Sequence, residues 1–405
     1  MVLIVYSALI SSRQEVVIPT KLENQYIPLF VKDVDRYMRQ VVERTGTPGA
    51  AIAVVKGDQV LFTRGYGVKV FNTFDSVNAN TVFRLGSVSK SVSATLAGSL
   101  VDQGFIDWDD PVIRHLPGFK LKNPQQSSHI TIRHVLSHTT GLPYHSYTNL
   151  IEEGLPLKEI IKKLADINLI SREGKRYSYQ NVAYSVLGEV IEGASGDNFN
   201  HWMQKGLFEP LKMKNSSVDY ESIVDHPNVA KPHRRGGRQW YVTKITRKYY
   251  NAVPAGGVNS SANDMAQWML ALLGNYPEVV SQSALDSIFK PYVKTSIRRS
   301  YLRKWRDLKE EYYGMGWRIL PYPGDTVQYH GGYVNFYRSE VGINRKEKIG
   351  FCVLANAPTQ LTSKCIPDLL HIYDQYADRI NARNREISLA YERMEREKEQ
   401  LSASR

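Results

Sequence analysis

Strand-forming residues stand near both ends of this chain, and the stretch between them reads as helix. On the N-terminal side, Ala50–Val55 and Val60–Phe62 are apolar runs separated by Lys56-Gly57-Asp58-Gln59, the pattern of an antiparallel hairpin. Strand signals return after Tyr313, at Gly316–Leu320, Val327–His330, Arg338–Asn344 and Lys348–Asn356. Between the two groups, Ile132–Ser137, Leu157–Asp166 and Val182–Glu192 carry helical spacing. One sheet completed by the C-terminal strands, with a helical lobe inserted after its first strands, accounts for that order. The expected fold class is therefore α/β in the broad sense, of the α+β kind: an antiparallel β-sheet flanked by helices with an inserted helical lobe. A cleft between sheet and lobe is the expected ligand site.

Residues 27–384 form the main domain, with about 105–215 as the lobe. Helical spacing at Ile27–Arg44 precedes the hairpin, and Leu361–Asn384 reads as a helix that covers the sheet. Asn263–Leu273 and Ser283–Phe289 read as further helices, and 215–253 as a long, basic, aromatic excursion. Residues 385–405 read as a charged helical extension. Residues 1–26 form an N-terminal extension. Its apolar start, Met1–Ile10, is too short to span a bilayer and resembles the core of an export signal without its basic leader. Read as an export-signal remnant, it places the protein in the periplasm or otherwise outside the cytoplasm.

The net charge of +12, concentrated at His233–Arg238 and Arg298–Arg306, favours an anionic neighbour such as a membrane surface or a cell-wall polymer. Nucleic acid is not expected, since no zinc-finger spacing, RNP-like motif or basic heptad repeat accompanies the charge. Two cysteines, Cys352 and Cys365, exclude a disulfide scaffold, and Cys352 lies in an apolar core run.

Three stretches carry chemistry. In Phe83-Arg84-Leu85-Gly86-Ser87-Val88-Ser89-Lys90-Ser91, a strand-like Thr81–Leu85 leads into a buried amphipathic helix with Ser87 at its first turn. Residues three apart share a helix face, so Lys90 comes within reach of the Ser87 hydroxyl. A desolvated lysine can take the proton that makes a serine nucleophilic, and the unpaired N–H groups of a helix start favour an oxyanion. Alone, this spacing also fits a serine that merely caps a helix. The second stretch, Lys175–Asn181, offers Tyr179, a tyrosine that neighbouring cations would help to ionise as a general base or proton relay, and Asn181, an amide donor and acceptor. In the third, Gln328-Tyr329-His330-Gly331-Gly332-Tyr333, a strand meets two glycines that let a substrate approach the backbone. His134 and His138 stand four apart on an expected helix but lack a third ligand, so they read as structural.

Taken in order, Ser87-Val-Ser-Lys90, Tyr179-Gln-Asn181 and His330-Gly-Gly332 resemble the serine β-lactamase and penicillin-binding protein superfamily. The nearest branch holds class C β-lactamases, D-alanyl-D-alanine carboxypeptidases and related esterases. Thr131–Leu142, Pro254–Ser261 and Asp264 look like further landmarks, and the similarity runs from about Val31 to about Tyr376. The resemblance implies a β-lactamase/transpeptidase-like fold and a serine hydrolase that needs no metal or other cofactor. It makes Ser87 the nucleophile, Lys90 its partner, Tyr179 the base or relay and Asn181 a contact for the acyl side chain. The N–H groups of Ser87 and Tyr333 become the oxyanion hole. One position departs from the pattern: His330-Gly331-Gly332 stands where Lys-Thr/Ser-Gly is usual. A histidine is mostly neutral at pH 7. Its charge is then expected to admit carboxylate-bearing substrates below roughly pH 6.5 and to leave β-lactam hydrolysis weak. The implied substrate is a small molecule or cell-wall peptide, namely a D-amino-acid peptide or a small ester. A dedicated β-lactamase and a slowly deacylating cell-wall sensor are the alternatives.

Overall fold

The computed structural model describes residues 24–237, 239–296, 302, 305, 308–322 and 325–403. Met1–Ile10 and most of Arg298–Arg306 lie outside the described residues.

The hairpin and the late strands do form one antiparallel sheet. Its eight strands run in the order Gln59–Gly67, Gly49–Lys56, Ile349–Ala355, Tyr337–Asn344, Asp325–Val334, Arg318–Tyr322, Tyr312–Tyr313 and Val293–Lys294. The first and last parts of the chain meet where Ile52 pairs with Val353 and Ala53 with Cys352. Both faces of these central strands are buried, so side chains alternate between two cores. Ala51, Ala53 and Val55, with Cys352 and Leu354, face a core shared with the helices Ser89–Asp102 and Ala262–Leu272. Ala50, Ile52 and Val54, with Phe351 and Val353, face a second core under Tyr26–Thr45 and Cys365–Asp374. A one-residue slip would exchange the two sets, and since both are apolar it is the difference in size, Ala51 and Ala53 against Ile52 and Val54, that opposes the exchange.

Several expectations change in detail. The strand expected over Thr81–Leu85 is only Phe83–Arg84, and it pairs with Asn259–Ser260 in a separate ribbon rather than with the main sheet. The helix after Ser87 is not amphipathic, because every residue from Ser89 to Leu100 is buried. Its polar side chains find partners inside: Ser91 Oγ donates to Gly316 O, Ser93 Oγ to Pro254 O, and Thr95 Oγ1 accepts from Trp268 Nε1. Leu361–Asn384 breaks into a short turn, a helix at Cys365–Asp374, and a helix at Ala377–Ala403 that runs unbroken into the charged extension. The 215–253 excursion holds a short helix at Tyr220–Asp225 and the ribbon His233–Gly236 with Gln239–Val242. His233 is buried rather than part of a cationic surface, and accepts from Phe71 N–H through Nε2. No helix among the described residues is long and apolar enough to cross a membrane.

Two glycines seat the Ser87 turn on the sheet. Gly86 has φ +52°, and a Cβ there would lie 2.8 Å from Tyr333 N. A Cβ on Gly332 would collide with Leu85 O and Ser339 Oγ. The close approach that Gly332 permits is thus made by the protein's own backbone, where a substrate was expected. We predict that Gly332→Ala lowers stability by about 1–3 kcal/mol, because the obstructing atom belongs to the backbone. A urea midpoint equal to wild type would contradict this packing.

Candidate active site

Ser87 lies in a single 3-10 turn, Gly86–Val88, directly before the Ser89–Asp102 helix. Between Thr81 and Leu100 it is the one residue that is not fully buried. It opens into a cavity of about 670 Å³ whose wall includes Tyr179, Asn181, His330, Gly331 and Tyr333. The structure therefore gathers at one cavity the residues that the three stretches singled out. Lys90 lies behind them, one turn along and completely buried.

The Lys90 amine donates to Asn181 Oδ1 and to Ala255 O, both at 2.8 Å. It stands 4.6 Å from the centre of the Tyr179 ring. Burial pulls its pKa well below the ordinary lysine value. A neutral amine has two N–H groups and one lone pair. Asn181 and Ala255 occupy the two donors, which leaves the lone pair for a proton. The Asn181 side chain thus bridges the buried lysine and the cavity wall, its nitrogen donating to Tyr249 Oη at 3.1 Å.

Tyr179 is hydrogen-bonded to the Ser87 side chain. Ionisation helped by neighbouring cations was expected, and the structure gives the opposite sign. Burial raises its pKa well above that of a free phenol, and the Ser87 bond and Arg318 only partly oppose it. Tyr179 is thus a neutral phenol that can pass a proton on, and the group whose free base is favoured is Lys90.

His330 also departs from expectation. It is completely buried on the central strand, its Nδ1–H donates to Gly331 O at 3.0 Å, and its Nε2 accepts from Tyr313 Oη at 3.1 Å. Burial, followed by the nearby Arg318 and Lys90 charges, holds its pKa well below that of free histidine. A charge switch near pH 6.5 is not available to a residue so placed. The permanent cations in the cavity wall are Arg318, ion-paired with the buried Glu311, Lys248, ion-paired with Glu152, and Arg338.

His138 has a place that its sequence spacing with His134 did not indicate. The helix ends at Leu136, and His138 takes φ +58°, which turns its ring away from His134 and into the site. Its ring lies 4.4 Å from that of Tyr179 and 5.0 Å from that of Tyr313. Nδ1 accepts from Gln180 N–H, and burial keeps the imidazole neutral. The signal that could have found it is the turn-forming Thr139-Thr140-Gly141 that follows. Among the described residues, no group of three or more His, Cys, Asp and Glu side chains could hold a metal ion.

Residues 34–370 match the family model described as Beta-lactamase. Over 398 residues the chain is 26% identical to the unguisins hydrolase ungD' of Aspergillus campestris, covering 93% of this chain and 71% of that protein. It is 28% identical to Beta-lactamase-like protein 4 of Dictyostelium discoideum over 301 residues, covering 68% of this chain and 52% of that one. Protein flp of Staphylococcus aureus is 22% identical over 346 residues, with 84% and 65% covered. The chain thus spans about half to seven tenths of the length of these relatives. The fold matches the octameric penicillin-binding protein homologue from Pyrococcus abyssi with a TM-score of 0.72 at 24% identity, over 84% of this chain and 77% of that one.

Two outcomes follow from the burial of the site. A lysine whose folded pKa is depressed opposes folding when protonated, so its penalty shrinks as pH rises from the folded value toward roughly 10.4. Between pH 7 and 10, wild type should therefore gain stability relative to Lys90→Met, measured by urea denaturation at each pH. Parallel curves would place Lys90 in solvent. The second outcome concerns His330, which should stay neutral through the range in which a free histidine titrates. The NMR resonances of its ring, assigned by their loss in His330→Gln, should not move across pH 5–8, and a midpoint near 6.5 would overturn the assignment.

Proposed function

The chain belongs to the Beta-lactamase family of serine hydrolases, and from that premise we propose that Ser87 forms an acyl-enzyme with an ester or amide substrate. The observation that carries the reading is the placement of one partly exposed serine, hydrogen-bonded to Tyr179, one turn from a desolvated lysine. Ser87 Oγ attacks the carbonyl carbon while its proton passes to the Tyr179–Lys90 unit. The oxyanion lies against the N–H groups of Ser87 and Tyr333, neighbours because the Gly86 turn rests on Tyr333. Collapse breaks the bond to the leaving atom, which takes the proton back from Tyr179, and water then frees the acid by the same steps.

We assign the substrate to D-amino-acid peptides of the peptidoglycan type or to small esters, acting outside the cytoplasm, with β-lactams as poor substrates. The neutral, buried His330 supplies no charge to a substrate carboxylate, which supports poor turnover of β-lactams and, of the two substrate types, favours the small esters. A slowly deacylating wall sensor would share every residue named and differ only in the rate of acyl release.

Labelling with a fluorescent phosphonate and a fluorescent penicillin, with mass mapping of the adduct, tests the reading. Ser87→Ala should abolish both labels while the protein stays folded, and a label surviving at another serine would sink it. Release of the penicillin label over minutes supports an enzyme, and retention over hours supports a sensor. Lys90→Ala and Tyr179→Phe should each lower kcat by at least ~10²-fold, and the double variant should lose little more, because the two act as one unit. Near-normal turnover in either variant would separate that residue from the chemistry.

A further inference from the structure

A second cavity, of about 760 Å³, adjoins the one that holds Ser87. The two share Arg318 and Tyr144 in their walls, so they adjoin at these two side chains. Lys175, Arg176, Tyr177 and Ser178, the residues that lead directly into Tyr179, line it, as does Lys294.

The charges there do not cancel. Arg318 is paired with Glu311 and Lys294 with Glu310. Lys175 and Arg176 form no ion pair with a described residue, so their two charges are left over. Ser178 Oγ, in the same wall, is buried and has no hydrogen-bond partner among the described residues. A buried hydroxyl without a partner costs free energy that a bound polar group would recover.

Direction follows from the reading of the site, on which this inference rests. Asn181, the acyl-side contact that the resemblance implies, lines the Ser87 cavity with Tyr249 and does not line the second one, whereas Arg318 lines both. The leaving atom takes its proton from Tyr179, which is joined through the backbone to the wall of the second cavity.

We propose that the second cavity holds the leaving half of the substrate, and that this half is an extended chain bearing carboxylates beyond the scissile bond. Lys175 and Arg176 recognise the carboxylates, Ser178 donates to a polar group between them and Ser87, and Tyr177 offers a ring face. The enzyme then cleaves within or before an acidic segment, where a simple carboxypeptidase would release only a terminal residue.

The test uses three acetate esters. Phenyl acetate reports on Ser87 chemistry alone. The other two join 4-acetoxyphenylacetic acid to diglutamate or to diglutamine, and match in length but not in charge. In wild type at low ionic strength, kcat/KM should be at least about fivefold higher for the diglutamate ester than for the diglutamine ester. That ratio should shrink as salt rises toward 0.15 M, where the screening length is about 8 Å. In the double variant Lys175→Glu, Arg176→Glu the ratio should fall below one. A ratio near one in both proteins, with phenyl acetate hydrolysed by wild type and not by Ser87→Ala, overturns this inference and leaves the nucleophile standing. Failure to hydrolyse phenyl acetate overturns the nucleophile instead. Calorimetry with N-(4-hydroxyphenylacetyl)-diglutamate then reads the second cavity without chemistry: binding lost in the charge-reversed variant supports it, and equal binding to both proteins overturns it.

Discussion

A lysine enclosed by protein on every side is the constraint around which the fold is arranged. An isolated ammonium in such a place would cost several kcal/mol or more, and Lys90 is accommodated by lowering its proton affinity and satisfying its donors. Asn181 Oδ1 and Ala255 O come from segments far away in the chain. The Tyr184 hydroxyl closes the enclosure by donating to the Lys90 carbonyl oxygen. The helix that carries Lys90 is polar along much of its length and still buried all round, so each neighbouring element has to present an acceptor or donor to it.

The rest of the site continues the same electrostatic theme. Tyr179, Tyr184 and Tyr313 are held as neutral phenols, and His138 and His330 as neutral imidazoles, in each case chiefly by burial. In a medium of low effective dielectric Arg318 and the Lys90 amine both act on the two imidazoles, and Arg318 acts on Tyr179 and Tyr313 as well. A second positive charge would raise the energy of the first. This is a physical reason for a histidine on the central strand to remain uncharged, and for the carboxylate-reading task to fall to side chains nearer the surface.

The sheet contributes the rigid wall. Ser87 is fixed because Gly86 rests on Tyr333, Gly332 rests on Leu85, and Ser339 Oγ donates to Leu85 O. The strand bearing His330 and Tyr333 is paired on both sides as far as Tyr329 and with Tyr337–Asn344 on through Val334, so the ladder holds Tyr333 from one side and leaves its other side towards Ser87. Donors held in place before reaction cost nothing to reorganise during it.

Much of this was legible in the residues themselves. The two groups of strands, the hairpin and the covering helices follow from apolar periodicity, which is local. The spacing of Ser87 and Lys90, and the order in which Tyr179, Asn181 and His330 follow, located the cavity. Ionisation states were not legible, because a pKa depends on how much water a fold removes and on which charges it brings near. That is why Tyr179 moved in the opposite sense from the one its neighbours in sequence indicated, and why His330 left the ordinary histidine range. His138 escaped notice because a single left-handed residue after Leu136 decides which way its ring points. The sequence by itself determined which residues could do chemistry and the elements that carry them. Only the tertiary structure decided which are charged, which are reachable, and that a second cationic cavity opens beyond Arg318, since desolvation and long-range contact belong to the folded chain as a whole.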